Sequence, residues 1–172
     1  MNTITIKPLG PELLEDYLFF FDHMVFTENP GWSACYCFSF HFTGPGEQWT
    51  RENNRASVIR YITEKKMAGY LAYSGNTPVG WCNVNNRQNY AGLQNYYEIT
   101  GQPDGNVVSV VCFLVHPDYR RKGIAQKMLE QICVDYSFPD FDYIEAYPGK
   151  DELSCERLYK GSLEMYKRFG FQ

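Results

Sequence analysis

Residues 107–136 read VVSVVCFLVHPDYRRKGIAQKMLEQICVDY, and this stretch decides the fold. Residues 107–115 are nearly all apolar and rich in valine, which predicts a buried strand. A basic turn follows. Apolar side chains then recur at intervals of three and four residues, which predicts an amphipathic helix over 123–136. The predicted strand therefore leads through a basic turn into the N-terminus of a helix.

The turn at residues 120–125, RRKGIA, has the composition of an anion-binding site. A helix N-terminus presents unpaired backbone N–H groups and the positive end of the helix dipole, so it favours phosphate. Gly123 lets the main chain approach an anion without a Cβ in the way. The turn alone leaves a second interpretation open, in which its three cations are simply solvated.

Two motifs, in this order, resemble the GNAT acyltransferase superfamily. Arg120-x-x-Gly123-x-Ala125 is similar to the turn with which that superfamily holds the pyrophosphate of acetyl-CoA. Residues 165–171, MYKRFGF, resemble its closing helix, which commonly ends Tyr-x-x-x-Gly-Phe. The resemblance covers most of residues 1–171 and is specific within 107–136 and 158–171. It implies an α/β fold with a mixed, largely antiparallel sheet flanked by helices.

The remaining pattern predicts a single domain over residues 1–172. Strands are predicted at 3–7, 69–74, 78–84, 107–115 and 141–147, helices at 11–21, 47–66, 123–136 and 158–169, and irregular connections at 22–46 and 85–106. A GNAT domain normally has another strand after the Gly-Phe pair, whereas this sequence stops at Gln172. Either the chain is truncated or that strand is absent, and a homodimer that covers the sheet edge is a further expectation.

The resemblance implies acetyl-CoA as the co-substrate and assigns residues to it. The main chain of Phe113, Leu114 and Val115 is expected to pair with the pantetheine amides. A backbone N–H near Leu114 is expected to stabilise the oxyanion that forms during attack. The pyrophosphate is expected to contact the turn and the first residues of the helix, which are Arg120, Arg121, Lys122, Gly123, Ile124, Ala125 and Gln126.

The resemblance also implies a general acid for the departing CoA thiolate. Tyr166 stands four residues before Gly170, where the tail motif of the family places this phenol. Its helical spacing equally fits a buried face of the last helix, and Tyr159 is the substitute for the catalytic role.

The general base is less clear from the sequence. Many relatives have a glutamate early in the central strand, but the matching position here is Ser109, which cannot accept a proton from an ammonium group. Glu98, Glu145 and His41 remain candidates, directly or through water.

The acceptor pocket is predicted on the aromatic and amide-rich part of the chain. The connection after the first helix helps to form this pocket in GNAT enzymes, so the resemblance implies that the acceptor contacts Trp32, Tyr36, His41, Trp81 and Asn83. Side chains that only cap the core are the alternative. A mixed aromatic and amide lining suits an amine on a small molecule, with a peptide amine as the other acceptor class.

Composition excludes several function classes. A net charge of −4 argues against a general nucleic-acid binder. No apolar run reaches membrane-spanning length, and the N-terminal residues lack a signal-peptide pattern. We therefore expect neither a nucleic-acid nor a membrane partner, and we predict a cytoplasmic location.

Two alternatives to an enzyme stay open. The first is a non-catalytic acyl-CoA-binding or sensor domain, which Ser109 and the missing last strand suggest. The second is a thiol or metal sensor that uses Cys35, Cys37 and His41. A structural zinc site normally has four ligands and a wider cysteine spacing, so no metal is expected.

Overall fold

A single five-stranded sheet forms the centre of the molecule. The computed structural model describes residues 3–93, 105–137, 139–148 and 159–172. The strands follow one another across the sheet in chain order: β1 (Ile4–Pro8), β2 (Gly69–Ser74), β3 (Thr77–Asn86), β4 (Val107–Val115) and β5 (Tyr143–Ala146). All neighbours are antiparallel except β4 and β5, which are parallel. The predicted mixed, largely antiparallel sheet is confirmed.

Four α-helices flank the sheet: α1 (Leu14–Phe19), α2 (Arg51–Thr63), α3 (Ile124–Asp135) and α4 (Leu163–Arg168). A 3-10 turn precedes α1 and a π-helical turn follows it, so the predicted helix over 11–21 is one helical segment of three types. Within the described ranges, no helix has both the length and the apolar character that crossing a bilayer requires.

Two element boundaries differ from the prediction. Helix α2 was predicted from residue 47 but begins at Arg51, because the Thr50 side chain accepts a hydrogen bond from the Asn53 N–H at 3.2 Å and caps the helix there. Strand β3 continues through Asn86, into the predicted connection at 85–106. The amide of Asn85 donates to the Lys66 carbonyl at 3.0 Å, so this polar residue is satisfied inside the sheet. Residues 94–104 of that connection lie outside the described residues.

Separate hydrophobic clusters cover the two faces of the sheet. Helices α1 and α2 and their connection pack with Trp81 and Val111 on one face. Helices α3 and α4 pack with Val108, Val110 and Phe113 on the other. Strand β4 is buried from both sides, which accounts for its nearly continuous apolar sequence.

Strand β4 bulges and then separates from β5. The pairs Asn83–Cys112 and Val84–Val110 leave Val111 as an extra residue in β4 opposite β3. The parallel pairing with β5 ends at Val110–Ala146, so the last residues of β4 have no partner in β5. This opening between the two strands is the fork, and it determines where the candidate site lies.

Candidate active site

A cavity of about 600 Å³ lies between the end of β4, the N-terminus of α3 and the beginning of α4. Its size is typical of pockets for small ligands. Of the ten residues predicted to bind the cofactor, all except Lys122 line it: Phe113, Leu114, Val115, Arg120, Arg121, Gly123, Ile124, Ala125 and Gln126. The structure thus brings the two predicted groups, strand and turn, to one place.

The backbone of the turn leaves a row of amides unpaired. The first hydrogen bond of α3 runs from the Lys127 N–H to the Gly123 carbonyl at 3.0 Å. Among the described residues, no group accepts a hydrogen bond from the amides of residues 121–126. Arg121 and Gly123 are both left-handed, with φ of +60° and +76°. A Cβ placed on Gly123 would meet only Gln126 Oε1, at 3.7 Å, so the space beside it is open. Unpaired amides beside open space are what a phosphate group requires.

The three cations of the turn have different surroundings. Arg120 donates to Glu28 at 2.6 Å and to the Val115 carbonyl at 3.2 Å, so it ties the turn to the end of β4. Lys122 donates to the Asp118 carbonyl at 2.6 Å and is exposed. Arg121 is exposed and lines the cavity. Arg121 is therefore the cation of the turn best placed for a ligand.

The main chain of β4 alternates between β3 and the fork. The Phe113 N–H donates to the Tyr159 carbonyl, on the fork side. The His116 N–H donates to the Val79 carbonyl in β3 at 2.9 Å. Alternation then directs the N–H of Leu114 to β3 and that of Val115 to the fork. Consequently, the donor predicted near Leu114 has to come from Val115 or Phe113, and the latter already has a partner.

The two tyrosines considered for the general acid lie at different depths. Tyr166 is buried, with 1% of its surface exposed, and its hydroxyl donates to the Lys160 carbonyl at 2.8 Å. It packs in the cluster of α3 and α4, as the alternative of a buried helix face implies. Gly161 lines the cavity, and a Cβ there would lie 2.9 Å from the Tyr166 ring. Only this glycine separates the phenol from the cavity. Tyr159 lines the cavity itself.

Among the five residues predicted to contact the acceptor, Trp32 lines the cavity. Its side chain is 38% exposed and meets the ring of Tyr159 edge to face, with centroids 6.4 Å apart. The other four are in the core with at most 3% of their surface exposed: Tyr36, His41, Trp81 and Asn83. The structure does not bring these four to the cavity.

Packing and hydrogen bonding explain why the four are buried. Trp81 packs edge to face on Tyr17, with centroids 5.0 Å apart, and Asn83 accepts a hydrogen bond from the Tyr90 hydroxyl at 2.7 Å. His41 has an Nδ1 contact of 3.2 Å with the Asn89 carbonyl. Burial lowers the pKa of His41 to about 4, so the imidazole is neutral near pH 7.

The three candidate bases also separate. Glu98 lies outside the described residues. His41 is enclosed by aromatic rings. Glu145 accepts a hydrogen bond from the Ser109 hydroxyl, at the strand position where the resemblance leads one to look for a base. In the part of the chain that the structure describes, no group of three or more His, Cys, Asp or Glu side chains could hold a metal ion.

Sequence reasoning did not find several residues of the cavity wall. Asn29 and Phe26 line it from the segment after α1, and Glu164 and Arg168 line it from α4. Glu164 and Arg168 form an ion pair at 3.3 Å, and their spacing of four residues was the available signal. The first two carry no comparable pattern.

The chain belongs to the acetyltransferase (GNAT) family, whose model matches residues 32–171. The resemblance in the two motifs is therefore confirmed. No curated protein sequence matches the chain significantly.

Solved structures with the same fold are acetyltransferases. Aminoglycoside N-acetyltransferase AAC(6')-Iy in complex with CoA has a TM-score of 0.61 and 13% identity, over 100% of this chain and 90% of that chain. Aminoglycoside antibiotic 6'-N-acetyltransferase AAC(6')-Ih from Acinetobacter baumannii has a TM-score of 0.56 and 18% identity, over 99% and 91%. A ribosomal-protein-alanine N-acetyltransferase from Brucella melitensis biovar Abortus 2308 has a TM-score of 0.53 and 12% identity, over 97% and 90%. At these identities the likeness establishes the fold.

Proposed function

We propose that this protein transfers the acetyl group of acetyl-CoA to a primary amine, by direct attack of the amine on the thioester. The observation that carries the proposal is the row of unpaired amides at residues 121–126, which opens on the cavity at the fork. Structural relatives that hold CoA support the same co-substrate. A cytoplasmic location and the absence of nucleic-acid and membrane partners remain predictions.

The residues around the cavity suggest how acetyl-CoA is held. Its pyrophosphate accepts hydrogen bonds from the amides of residues 121–126, and Arg121 adds a charge-assisted contact. The cavity also has a second cation, Arg168, on α4. The pantetheine lies along the fork side of β4, where the Val115 N–H is directed. Binding there requires that the Tyr159 carbonyl leaves the Phe113 N–H or shares it.

Tyr166 remains our proposed proton donor to the departing thiolate. A thiol has a pKa of about 8–9, so a phenol can protonate the thiolate when the two lie close together. Gly161 supports the assignment because it has no side chain to cover the ring of Tyr166. Tyr159 is the competing donor, since it lines the cavity.

For the acceptor we propose a cationic amine on a small molecule, such as an aminoglycoside, a polyamine or a lysine-like group. Several structural relatives are aminoglycoside acetyltransferases. Trp32, Phe26 and Asn29 give the cavity an aromatic and amide wall, which suits a polar small molecule. A peptide amine is the second acceptor class, and one structural relative is an acetyltransferase of a ribosomal protein.

Two measurements test this function in sequence. Calorimetric titration with acetyl-CoA and with CoA should show binding, and saturation at about 100 times the Kd should stabilise the fold by about 2.7 kcal/mol. Kanamycin, spermidine and a lysine-containing peptide are then assayed for release of free CoA with a thiol reagent, against a reaction without amine as the control. Absence of binding would overturn the proposal. Binding without amine-dependent release of CoA would favour the non-catalytic acyl-CoA-binding alternative.

A further inference from the structure

A carboxylate from β5 lies beside the serine of β4 at which a base is missing. Ser109 and Glu145 are register partners in the parallel pair of strands. The Ser109 hydroxyl donates to Glu145 Oε1, and Ser109 is fully buried. Two strands thus supply together what many relatives place on one strand.

Other donors fix both oxygen atoms of this carboxylate. The Tyr147 hydroxyl donates to Glu145 Oε1 at 2.7 Å, and Arg87 donates to Oε2 at 3.2 Å. The Glu145 side chain is 13% exposed, so it is held in place while still in contact with solvent. A proton acceptor requires such a combination of fixed position and access.

The carboxylate lies at the closed end of the fork. The pairing of β4 with β5 continues for one residue after Ser109 and Glu145 and then stops. The cavity lies at the open end of the same fork, lined by Phe113, Leu114 and Val115. Tyr147, which donates to the carboxylate, packs against the cluster on the α1 and α2 face, where the segment that contains Trp32 also lies.

We propose that Glu145 accepts the proton of the acceptor ammonium, with Ser109 and Tyr147 as positioning residues. The inference rests on the proposed function. The ammonium gives one proton to the Glu145 carboxylate and becomes a neutral amine. Its lone pair forms the C–N bond with the thioester carbon, and the C–S bond breaks with its electron pair on sulfur. The phenol protonates the thiolate, the phenolate takes the surplus proton from nitrogen, and the carboxylic acid returns its proton to solvent.

The first test replaces the carboxylate with its neutral isostere. Glu145→Gln should lower kcat/KM at pH 7 by about 100-fold, the lower end of the range for general base catalysis. The loss should shrink as the pH rises towards about 10, because a growing fraction of the amine is already unprotonated. The acetyl-CoA affinity and the melting temperature should stay close to those of the wild type. Kinetics are measured with whichever amine of the panel releases most CoA.

Matched variants separate this role from a structural one. Ser109→Ala and Tyr147→Phe keep the carboxylate and remove one donor to it, so each should cost less activity than Glu145→Gln and should shift the acid limb of the pH–rate profile. Ser109→Glu together with Glu145→Ser moves the carboxylate to the paired strand and should recover part of the activity that Glu145→Ser loses. If the exchanged pair does not fold, the pH profile of Glu145→Gln still decides.

Particular outcomes overturn the inference. Wild-type rates for Glu145→Gln at pH 7 would remove the role of the carboxylate, and so would a loss that is equal at every pH. Failure of the wild type to release CoA with any amine would instead overturn the proposed function itself. The two failures are therefore distinguishable.

Discussion

The turn before α3 and the connection between α1 and α2 use the same unusual backbone conformation for opposite purposes. Arg121 and Gly123 are left-handed in the turn, and Tyr36 and Cys37 are left-handed in the connection. In the turn, the amides are unpaired and lie beside an open cavity. In the connection, the carbonyls of Tyr36 and Cys37 accept hydrogen bonds from Tyr17 at 2.5 Å and from an asparagine of β3 at 3.0 Å.

This difference shows how a strained segment can be assigned to function or to folding. Residues in sparsely populated backbone conformations are kept where the surroundings compensate their cost. The surroundings in the connection are buried protein groups, so its strain belongs to the core. In the turn the described protein groups leave the amides unsatisfied, so a ligand has to complete the site.

The largest expected effect tests the core side of this comparison with a pair of tryptophans. Trp81→Ala removes a fully buried ring and should cost about 3–5 kcal/mol of unfolding free energy. A melting temperature lower by about 10 °C would follow for a chain of this size. Trp32→Ala removes a partly exposed ring at the cavity and should leave the melting temperature nearly unchanged while raising the KM for the amine. Equal stability losses would contradict the separation of the two sites.

A smaller effect should appear as acid sensitivity of the same core. The pKa of His41 is lowered to about 4 by burial, against about 6.5 in an unfolded chain. Above pH 6.5 both states are neutral at this residue. As the pH falls from 6.5 to 4, the unfolded chain binds a proton that the folded chain does not, and stability falls by up to about 3 kcal/mol.

Urea unfolding of His41→Gln and of the wild type, measured from pH 4 to pH 7, isolates this contribution. The free energy of unfolding should decline less steeply in the variant as the pH falls, since the carboxylates that titrate in the same range are common to both proteins. His23→Gln serves as the control and should follow the wild type. Parallel curves for His41→Gln and the wild type would contradict the prediction.

The next effect concerns turnover, through the two tyrosines beside the cavity. Tyr166→Phe should lower kcat by about 100-fold with the acetyl-CoA affinity nearly intact, because a general acid acts on the chemical step. Tyr159→Phe should lower kcat by less than threefold if Tyr166 is the donor. Release of CoA measured at saturating acetyl-CoA decides between them. The reverse pattern would transfer the role to Tyr159, which the cavity already exposes.

How much could be predicted depended on whether a feature is encoded locally. Strand β4, the turn and α3 are adjacent in the chain, and their pattern predicted both the elements and the cavity that they line. The start of α2 could not be read from apolar spacing, because a single cap at Thr50 decides it. Local pattern therefore gave the element and missed its boundary.

Features that depend on packing or register were beyond the sequence. Trp81 and Asn83 have the composition of a pocket wall, and only the packing of α1 against the sheet shows that they are core. The contact between Ser109 and Glu145 joins residues 36 positions apart through the register of two parallel strands. A shift of one residue in that register would direct the carboxylate to the other face of the sheet. No spacing in the chain specifies such a pair.

The smallest of these effects makes the sharpest test of the turn, with two glycines of equal conformation. Gly123 and Gly170 have φ of +76° and +84°, and an added Cβ is close to no atom of the described residues at Gly170 and to only one at Gly123. Alanine at either position should therefore cost a similar stability, about 1–2 kcal/mol, because an L residue is strained there. Only Gly123→Ala should also weaken acetyl-CoA binding, by about tenfold, because its Cβ enters the space beside the unpaired amides. Calorimetric titration of both variants measures the difference. Equal affinities would mean that the turn is an ordinary helix start, since a site completed by a phosphate group has no room for that methyl.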